Sequence, residues 1–226
     1  MRAFIAPTMT DPSAKLADVR DRIARAARAA KRDPSDVTLV AVTKKRPVSE
    51  IEALIRTGVT DFGENRVAEA EEKWAGLRAH HPDVRLHMIG QLQSNKAADA
   101  IRLFDVIHSV DRESLLNALA TESVKQGRSP LVYVQVNIGA EDQKGGVSIE
   151  DLPAFLNKVR ATPLHLVGLM AMPPQGVRAA PYFALLAKLA RRHDVTGLSM
   201  GMSGDYEEAV MQGATAVRVG SALFND

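Results

Sequence analysis

Three places along the 226-residue chain carry side chains that can do chemistry. The first is Lys44, in Thr43-Lys44-Lys45-Arg46 directly after an apolar run at 37–42. A primary amine beside a buried strand can have its pKa lowered and form an imine with a carbonyl. It can equally be one solvated member of a run of three cations, and the residues alone leave both readings open. The second and third places are Gly201-Met202-Ser203-Gly204 and Gly220-Ser221. Glycine lets backbone N–H groups approach an anion, the serines add hydroxyls, and a helix opening near Asp205 aims its positive end there. Singly, each segment is also an ordinary turn with small residues. Together they predict a phosphate cradle. No metal site is expected, because none of the six histidines stands at ligand spacing with acidic partners. The pair His80-His81 before Pro82 reads as a solvated loop. Met170, Met172, Met200 and Met202 read equally well as core filler.

These residues need elements to position them, and the chain alternates strand and helix. The first helix is expected over 11–32, capped by Asp11 with Pro12 at its first position. Leu16, Val19, Ile23, Ala27 and Ala30 recur on one face. Strands are expected at 37–42, near 61–62, and at 85–89, 106–109, 131–137, 166–170, 197–199 and 216–219. Helices are expected at 48–56, 66–77, 96–103, after Asp111, and at 149–160, 182–193 and 206–212. Several strands are near-continuous apolar runs, which marks parallel strands buried on both faces. Strict alternation argues for right-handed crossovers. Eight strands close a barrel, so the expected fold is α/β: a single (β/α)8 TIM-type barrel over 37–226 with an extra N-terminal helix. A doubly wound open sheet is the alternative. The extra helix is expected to cover the outside of the last strand. In a barrel, ligands bind at the C-terminal ends of strands, and the loops after strands seven and eight are the usual phosphate site. Lys44 and both glycine–serine segments fall on that rim.

Composition narrows the partners. Lys plus Arg is 29 and Asp plus Glu is 27, a formal charge of +2, which argues against nucleic acid or an anionic membrane. The absence of cysteine removes disulfides, iron–sulfur clusters and thiol catalysis, and fits a reducing compartment. The N-terminal residues show no signal-peptide pattern, and no apolar stretch approaches membrane-spanning length. A cytoplasmic, monomeric protein is expected.

A lysine after strand one, the cradle after strands seven and eight, and Arg218 two residues before Gly220 form a recognisable set. The sequence resembles the pyridoxal-phosphate homeostasis protein family, the proline-synthetase co-transcribed type. The matching segments are Ala41-Val42-Thr43-Lys44, Phe62-Gly63-Glu64-Asn65, His87-Met88-Ile89-Gly90-Gln91-Leu92-Gln93-Ser94-Asn95-Lys96, Gly168-Leu169-Met170-Ala171-Met172, Ser199-Met200-Gly201-Met202-Ser203 with Asp205, and Val217-Arg218-Val219-Gly220-Ser221. They span nearly the whole chain in order. That family is similar to the N-terminal barrel of alanine racemases, fold type III among pyridoxal-phosphate proteins.

The resemblance implies pyridoxal 5'-phosphate as cofactor, held as a covalent aldimine on Lys44. It implies that Ser203, Gly220 and Ser221 hold the phosphate, with a backbone contact from Met202. Arg218 would face the pyridine nitrogen, Asn65 would lie beside the ring, and His87 belongs to the same cofactor-binding set. No catalytic residue is assigned. The family's second lysine after the first strand is replaced by Arg46, which cannot form an imine. Its loop lysine is retained as Lys144, a candidate second site for the cofactor. The expected function is a non-catalytic carrier in pyridoxal-phosphate and amino-acid homeostasis, with cofactor-dependent apoenzymes as acceptors. The β domain that completes racemase sites of this fold is expected to be absent. Two rivals stand. One is a small amino-acid racemase drawing a second base from Tyr133, Tyr206 or His87. The other is a phosphate-binding barrel enzyme of sugar or nucleotide metabolism, using Lys44 as an aldolase-like amine.

Overall fold

A computed structural model of the chain describes residues 12–141 and 143–224. The apolar runs become eight parallel strands: β1 Thr38–Val42, β2 Asp61–Glu64, β3 Arg85–Met88, β4 Val106–Val110, β5 Leu131–Gln135, β6 His165–Met170, β7 Gly197–Met202 and β8 Ala216–Val219. They pair in chain order, and β1 pairs with β8 in the register Val40↔Arg218 and Ala41↔Val219. That last pairing closes the barrel and rules out the open sheet. Seven helices follow strands: α2 Val48–Arg56, α3 Val67–His80, α4 Ala97–Leu103, α5 Glu113–Gln126, α6 Leu152–Arg160, α7 Ala180–Arg192 and α8 Tyr206–Met211. Each turns its apolar stripe onto the outer faces of the strands.

Helix α1, Ser13–Ala29, precedes the barrel and buries Leu16, Val19, Ile23, Ala26 and Ala27. Its place differs in detail from the expected cover over β8. Arg22 Nε donates to Glu207 of α8 (3.0 Å), Arg32 reaches the Val210 carbonyl (2.9 Å), and Arg20 reaches the carbonyl of Gly58, just past α2. The helix thus fills the position in the outer ring that a helix after β8 would take. Pro12 stands just before the first helical residue, and the expected cap Asp11 lies outside the described residues.

Several boundaries differ from those expected, and two of them have local reasons. Helix α6 starts at Leu152 because Ser148 and Asp151 form their own turn, with Oγ to Oδ2 at 2.7 Å and the Asp151 N–H to Oγ at 3.0 Å. Strand β7 runs on through Met202 although Gly201 takes a φ of +93°, a conformation that reads in sequence as a break.

The barrel interior is unusual in its polarity. Such interiors are dominated by branched apolar side chains. Here Asp61, His87, His108, Ser199 and Arg218 are all buried. Room for them comes partly from glycine. A Cβ on Gly168 would sit 1.9 Å from the Gly197 carbonyl oxygen, and one on Gly197 would press on the Tyr133 ring.

Candidate anion-binding cleft at the barrel mouth

Side chains alternate along a strand, so Val42 and Lys44 share the inner face of β1 while Thr43 points out. Val42 and Lys44 line a cleft of about 560 Å³ over the C-terminal ends of the strands. Arg46 joins them from the same loop, Asn65 follows β2 directly, and Ile89, Gly90 and Gln91 come from the turn after β3. Gln135 and Met172 form the far wall, and Met202, Ser203, Gly204, Arg218, Gly220 and Ser221 complete the ring. The described lining holds three cations and no carboxylate, imidazole or phenol. Its chemistry is that of an anion site with one free primary amine.

The amine stands on a fixed base. Lys44 is exposed and makes no hydrogen bond or ion pair with a described residue. The backbone beneath it is clamped from outside the barrel. Thr43 Oγ1 donates to the buried Glu64 carboxylate (2.7 Å), and Lys73 Nζ donates to the Thr43 carbonyl (2.7 Å). Lys73 also pairs with Glu64 (2.7 Å) and Glu69 (2.9 Å), while the Lys45 N–H donates to Glu69. Burial pushes the Glu69 carboxyl up, but the Lys45 amide and Lys73 outweigh it and leave it below the usual range.

Ser203 ties the two glycine loops together. Its Oγ accepts from the N–H of Gly220 (3.1 Å) and of Ala222 (3.4 Å). A hydroxyl has two lone pairs and one proton. With both lone pairs engaged, the Ser203 proton remains to be donated to a ligand.

Seven of the eight residues expected around the cofactor, namely Lys44, Asn65, Met202, Ser203, Arg218, Gly220 and Ser221, meet in this one cleft. Two details differ from the sequence reading. The N–H of Met202 is taken by Asp205 Oδ1 (2.6 Å) and that of Gly220 by Ser203, so neither amide faces the cleft as expected. Helix α8 has six residues, with Glu207 and Glu208 in its first turn, so its positive end is offset and the cations carry the site's charge. The eighth residue, His87, is not in the lining. Ile89 of the same segment reaches the cleft, while His87 lies one side-chain layer deeper and bonds to Asp61 and His108. Lys144 is also outside the lining, pairing with Glu141 (2.6 Å) and donating to the Pro173 carbonyl (3.2 Å).

Gln91 and Gln135 had no assigned role, yet their side chains meet at 3.1 Å on the cleft wall. The available signal was Gln135 itself, a polar break in an apolar strand. Gly90 is there because a Cβ would lie 2.3 Å from the Asn65 carbonyl oxygen. Among the described residues no group of three or more His, Asp or Glu could hold a metal ion, and no helix is long and apolar enough to cross a membrane.

The family described as alanine racemase, N-terminal domain, matches residues 15–226. Fold and rim together therefore define the class, a (β/α)8 barrel of the alanine racemase N-terminal type. Curated relatives narrow this. The chain is 43% identical over 223 residues to the pyridoxal phosphate homeostasis protein of Pseudomonas aeruginosa, covering 96% of both. It is 44% identical over 214 residues to that of Deinococcus radiodurans, covering 93% of this chain and 98% of the relative. The chain belongs to the pyridoxal phosphate homeostasis protein family. Among solved structures, PipY of Synechococcus elongatus with PLP bound matches at TM-score 0.83 and 36% identity, over 95% of this chain and 100% of that one. An alanine racemase of Clostridium difficile shares the fold at TM-score 0.71 and 15% identity, with 99% of this chain spanning 60% of that one.

Beneath the cleft, Arg218 Nη1 donates to Ser199 Oγ (2.5 Å) and Nη2 to the Ala171 carbonyl (3.2 Å). Burial lowers the Arg218 pKa to about 10, and Asp205 and Tyr133 oppose that only through space. Burial, then His87 and Arg218, hold the pKa of His108 well below 6.5. This predicts a pH dependence of stability. Native His108 stays neutral while the unfolded chain takes up a proton below pH 6.5, so the unfolded state binds more protons there and stability falls as pH falls. The decline should approach ~1.4 kcal/mol per pH unit for this one proton. Urea unfolding across that window should show it, and His108→Gln should flatten it. An equal slope in the variant would assign the effect to another group.

Proposed function

We propose that the cleft binds pyridoxal 5'-phosphate, with its phosphate against Ser203 and Ser221 and its aldehyde joined to Lys44 as an aldimine. In this reading the protein holds and releases the cofactor, serves pyridoxal-phosphate and amino-acid homeostasis with apoenzymes as acceptors, and does little or no chemistry on amino acids. The observation that carries it is the lining: three cations, one of them a free amine, with a serine hydroxyl left to donate. A phosphorylated aldehyde matches both halves of that set. When bound, the cofactor supplies a carbonyl for amines and an electron-withdrawing ring. Arg218 only donates hydrogen bonds and keeps its charge near neutral pH, so it favours a ring nitrogen without a proton. The family membership and the relative solved with PLP support the same ligand.

The lining also supports the carrier reading over a racemase. Racemisation needs proton transfer on both faces of a substrate carbon. Lys44 carries the one amine among the described lining groups, and no carboxylate, imidazole or phenol stands beside it. The candidates for a second base lie elsewhere: His87 and Tyr133 in the barrel interior, and Tyr206 beneath Arg22 of α1.

Borohydride reduction of the loaded protein followed by peptide mass spectrometry should place the cofactor on the peptide bearing Lys44, and Lys44→Ala should abolish the label. A label mainly on Lys45 or Lys144 would refute the assignment. Ser203→Ala should weaken binding by about 1–3 kcal/mol, the worth of a hydrogen bond to a charged group. Pyridoxal without phosphate should bind far more weakly than the phosphate ester, and equal affinities would remove the cradle. Loaded protein incubated with L-alanine in deuterated water should leave the α-proton in place, whereas rapid exchange would make the protein an enzyme.

A further inference from the structure

Below the cleft runs an unbroken line of buried polar groups that binding itself does not use. It starts at Arg218 on β8, crosses the interior through Ser199 on β7, His108 on β4 and His87 on β3, and ends on Asp61 at the start of β2. Strands β4 and β7 are not neighbours, so the bond between His108 and Ser199 spans the barrel.

The two ends, together with a neutral His108, set one direction for the protons between them. A guanidinium can only donate, so Ser199 Oγ accepts from Arg218 at 2.5 Å. With His108 neutral and its proton on Nε2, its bare Nδ1 accepts the Ser199 proton at 2.7 Å. His108 gives its Nε2 proton to His87 Nδ1 at 2.9 Å. His87 in turn donates from Nε2 to Asp61 Oδ1 at 2.9 Å. A carboxylate can only accept, and Asp61 is kept ionised: burial raises its pKa, but His87, Arg85 and Thr60 bring the net below 3.8. The groups facing His108 are His87, Ser199, the Tyr133 ring stacked at 4.6 Å, and Arg218 through space. None of them is a carboxylate, so nothing there favours an imidazolium.

We propose that Ser199, His108, His87 and Asp61 are positioning residues for Arg218, forming a one-way hydrogen-bond chain, in which each imidazole donates from Nε2 and accepts at Nδ1, that aims the guanidinium at the cleft. Because the Ser199 proton is committed to His108, its lone pair is always presented to Arg218. In the reverse direction Ser199 would accept from both Arg218 and His108, and its own buried proton would have no partner in the chain. Asp61, at the opposite end of the barrel, thus helps fix the direction of a group at the cleft. Only the ligand arm of the test rests on the proposed binding of pyridoxal phosphate.

The first arm uses cofactor-free protein and nitrogen-15 NMR. Both histidines should appear as the Nε2–H tautomer at neutral pH, and the Arg218 side-chain N–H signals should be resolved by restricted rotation. Ser199→Ala should average the Arg218 signals, and Asp61→Ala should mix the tautomers of His87. An Nδ1–H or doubly protonated ring at either histidine in the unaltered protein overturns the chain. If Asp61→Ala fails to fold, Ser199→Ala at the other end decides. The second arm titrates pyridoxal phosphate. Ser199→Ala should bind it about tenfold more weakly and change the pH profile of the bound absorbance, while Ser199→Thr, which keeps the hydroxyl, should restore both. A folded Ser199→Ala with unchanged affinity and absorbance overturns the positioning role. Failure of the unaltered protein to take up pyridoxal phosphate overturns the proposed ligand and leaves the NMR arm to decide the chain.

Discussion

A guanidinium inside a closed barrel needs acceptors for its donors and something to offset its charge. Arg218 is 4% exposed and finds only neutral acceptors, a serine oxygen and a backbone carbonyl. Asp205, which acts on Arg218 only through space, spends one oxygen on the Met202 N–H. The charge is therefore left unneutralised and faces the cleft, where Lys44 and Arg46 add two more. That imbalance explains why the interior is polar where barrels of this kind are normally packed with branched apolar residues. In the proposed role the counter-charge comes from the ligand. An acid in contact with Arg218 would have stabilised the empty barrel and weakened its hold on an anion.

The lysine is handled in the opposite way, and the alternation of strand side chains makes both treatments possible at one rim. Arg218 is locked by its side chain. Lys44 is free at its side chain and locked at its backbone, through Thr43, Glu64 and Lys73 on the outer face. Trp74 Nε1 donates to the same Glu64 oxygen at 3.1 Å, which binds α3 to the end of β1. A mobile amine on a rigid base can reach an aldehyde, join it and let it go. In the proposed role that matters more than a lysine pinned in one rotamer.

The barrel and most of its rim were legible because they rest on local signals. Apolar runs such as Val132–Val134 mark parallel strands wherever they fall, and glycine beside serine marks an anion loop without knowledge of its partner. What was not legible depends on register between strands. His87 was placed with the cofactor because its segment ends at the rim. Both share the inner face, but Ile89 stands two residues nearer the cleft and His87 falls in the layer below. His108 and Ser199 lie 91 residues apart, and no periodicity links them. The first helix shows the same limit: its apolar face was readable, but its neighbours, Glu207 and the Gly58 carbonyl, were set by how the ring closes.

Depth separates two kinds of chemistry in this barrel. Imidazoles are present, but His87 and His108 sit in the layer beneath the cleft, buried and committed to each other. The layer that meets a ligand holds amides, hydroxyls and cations. Proton transfer needs donor and acceptor within hydrogen-bond reach, directly or through one water. From the second layer, the imidazoles act on a ligand only through Ser199 and Arg218, by holding a fixed charge in place. Such a site can orient an anionic cofactor and bias its protonation, yet it offers an incoming amino acid little beyond Lys44 itself. Racemase-type catalysis from this rim would need a base added to the first layer, and the interior histidines cannot supply it without breaking the chain that holds Arg218.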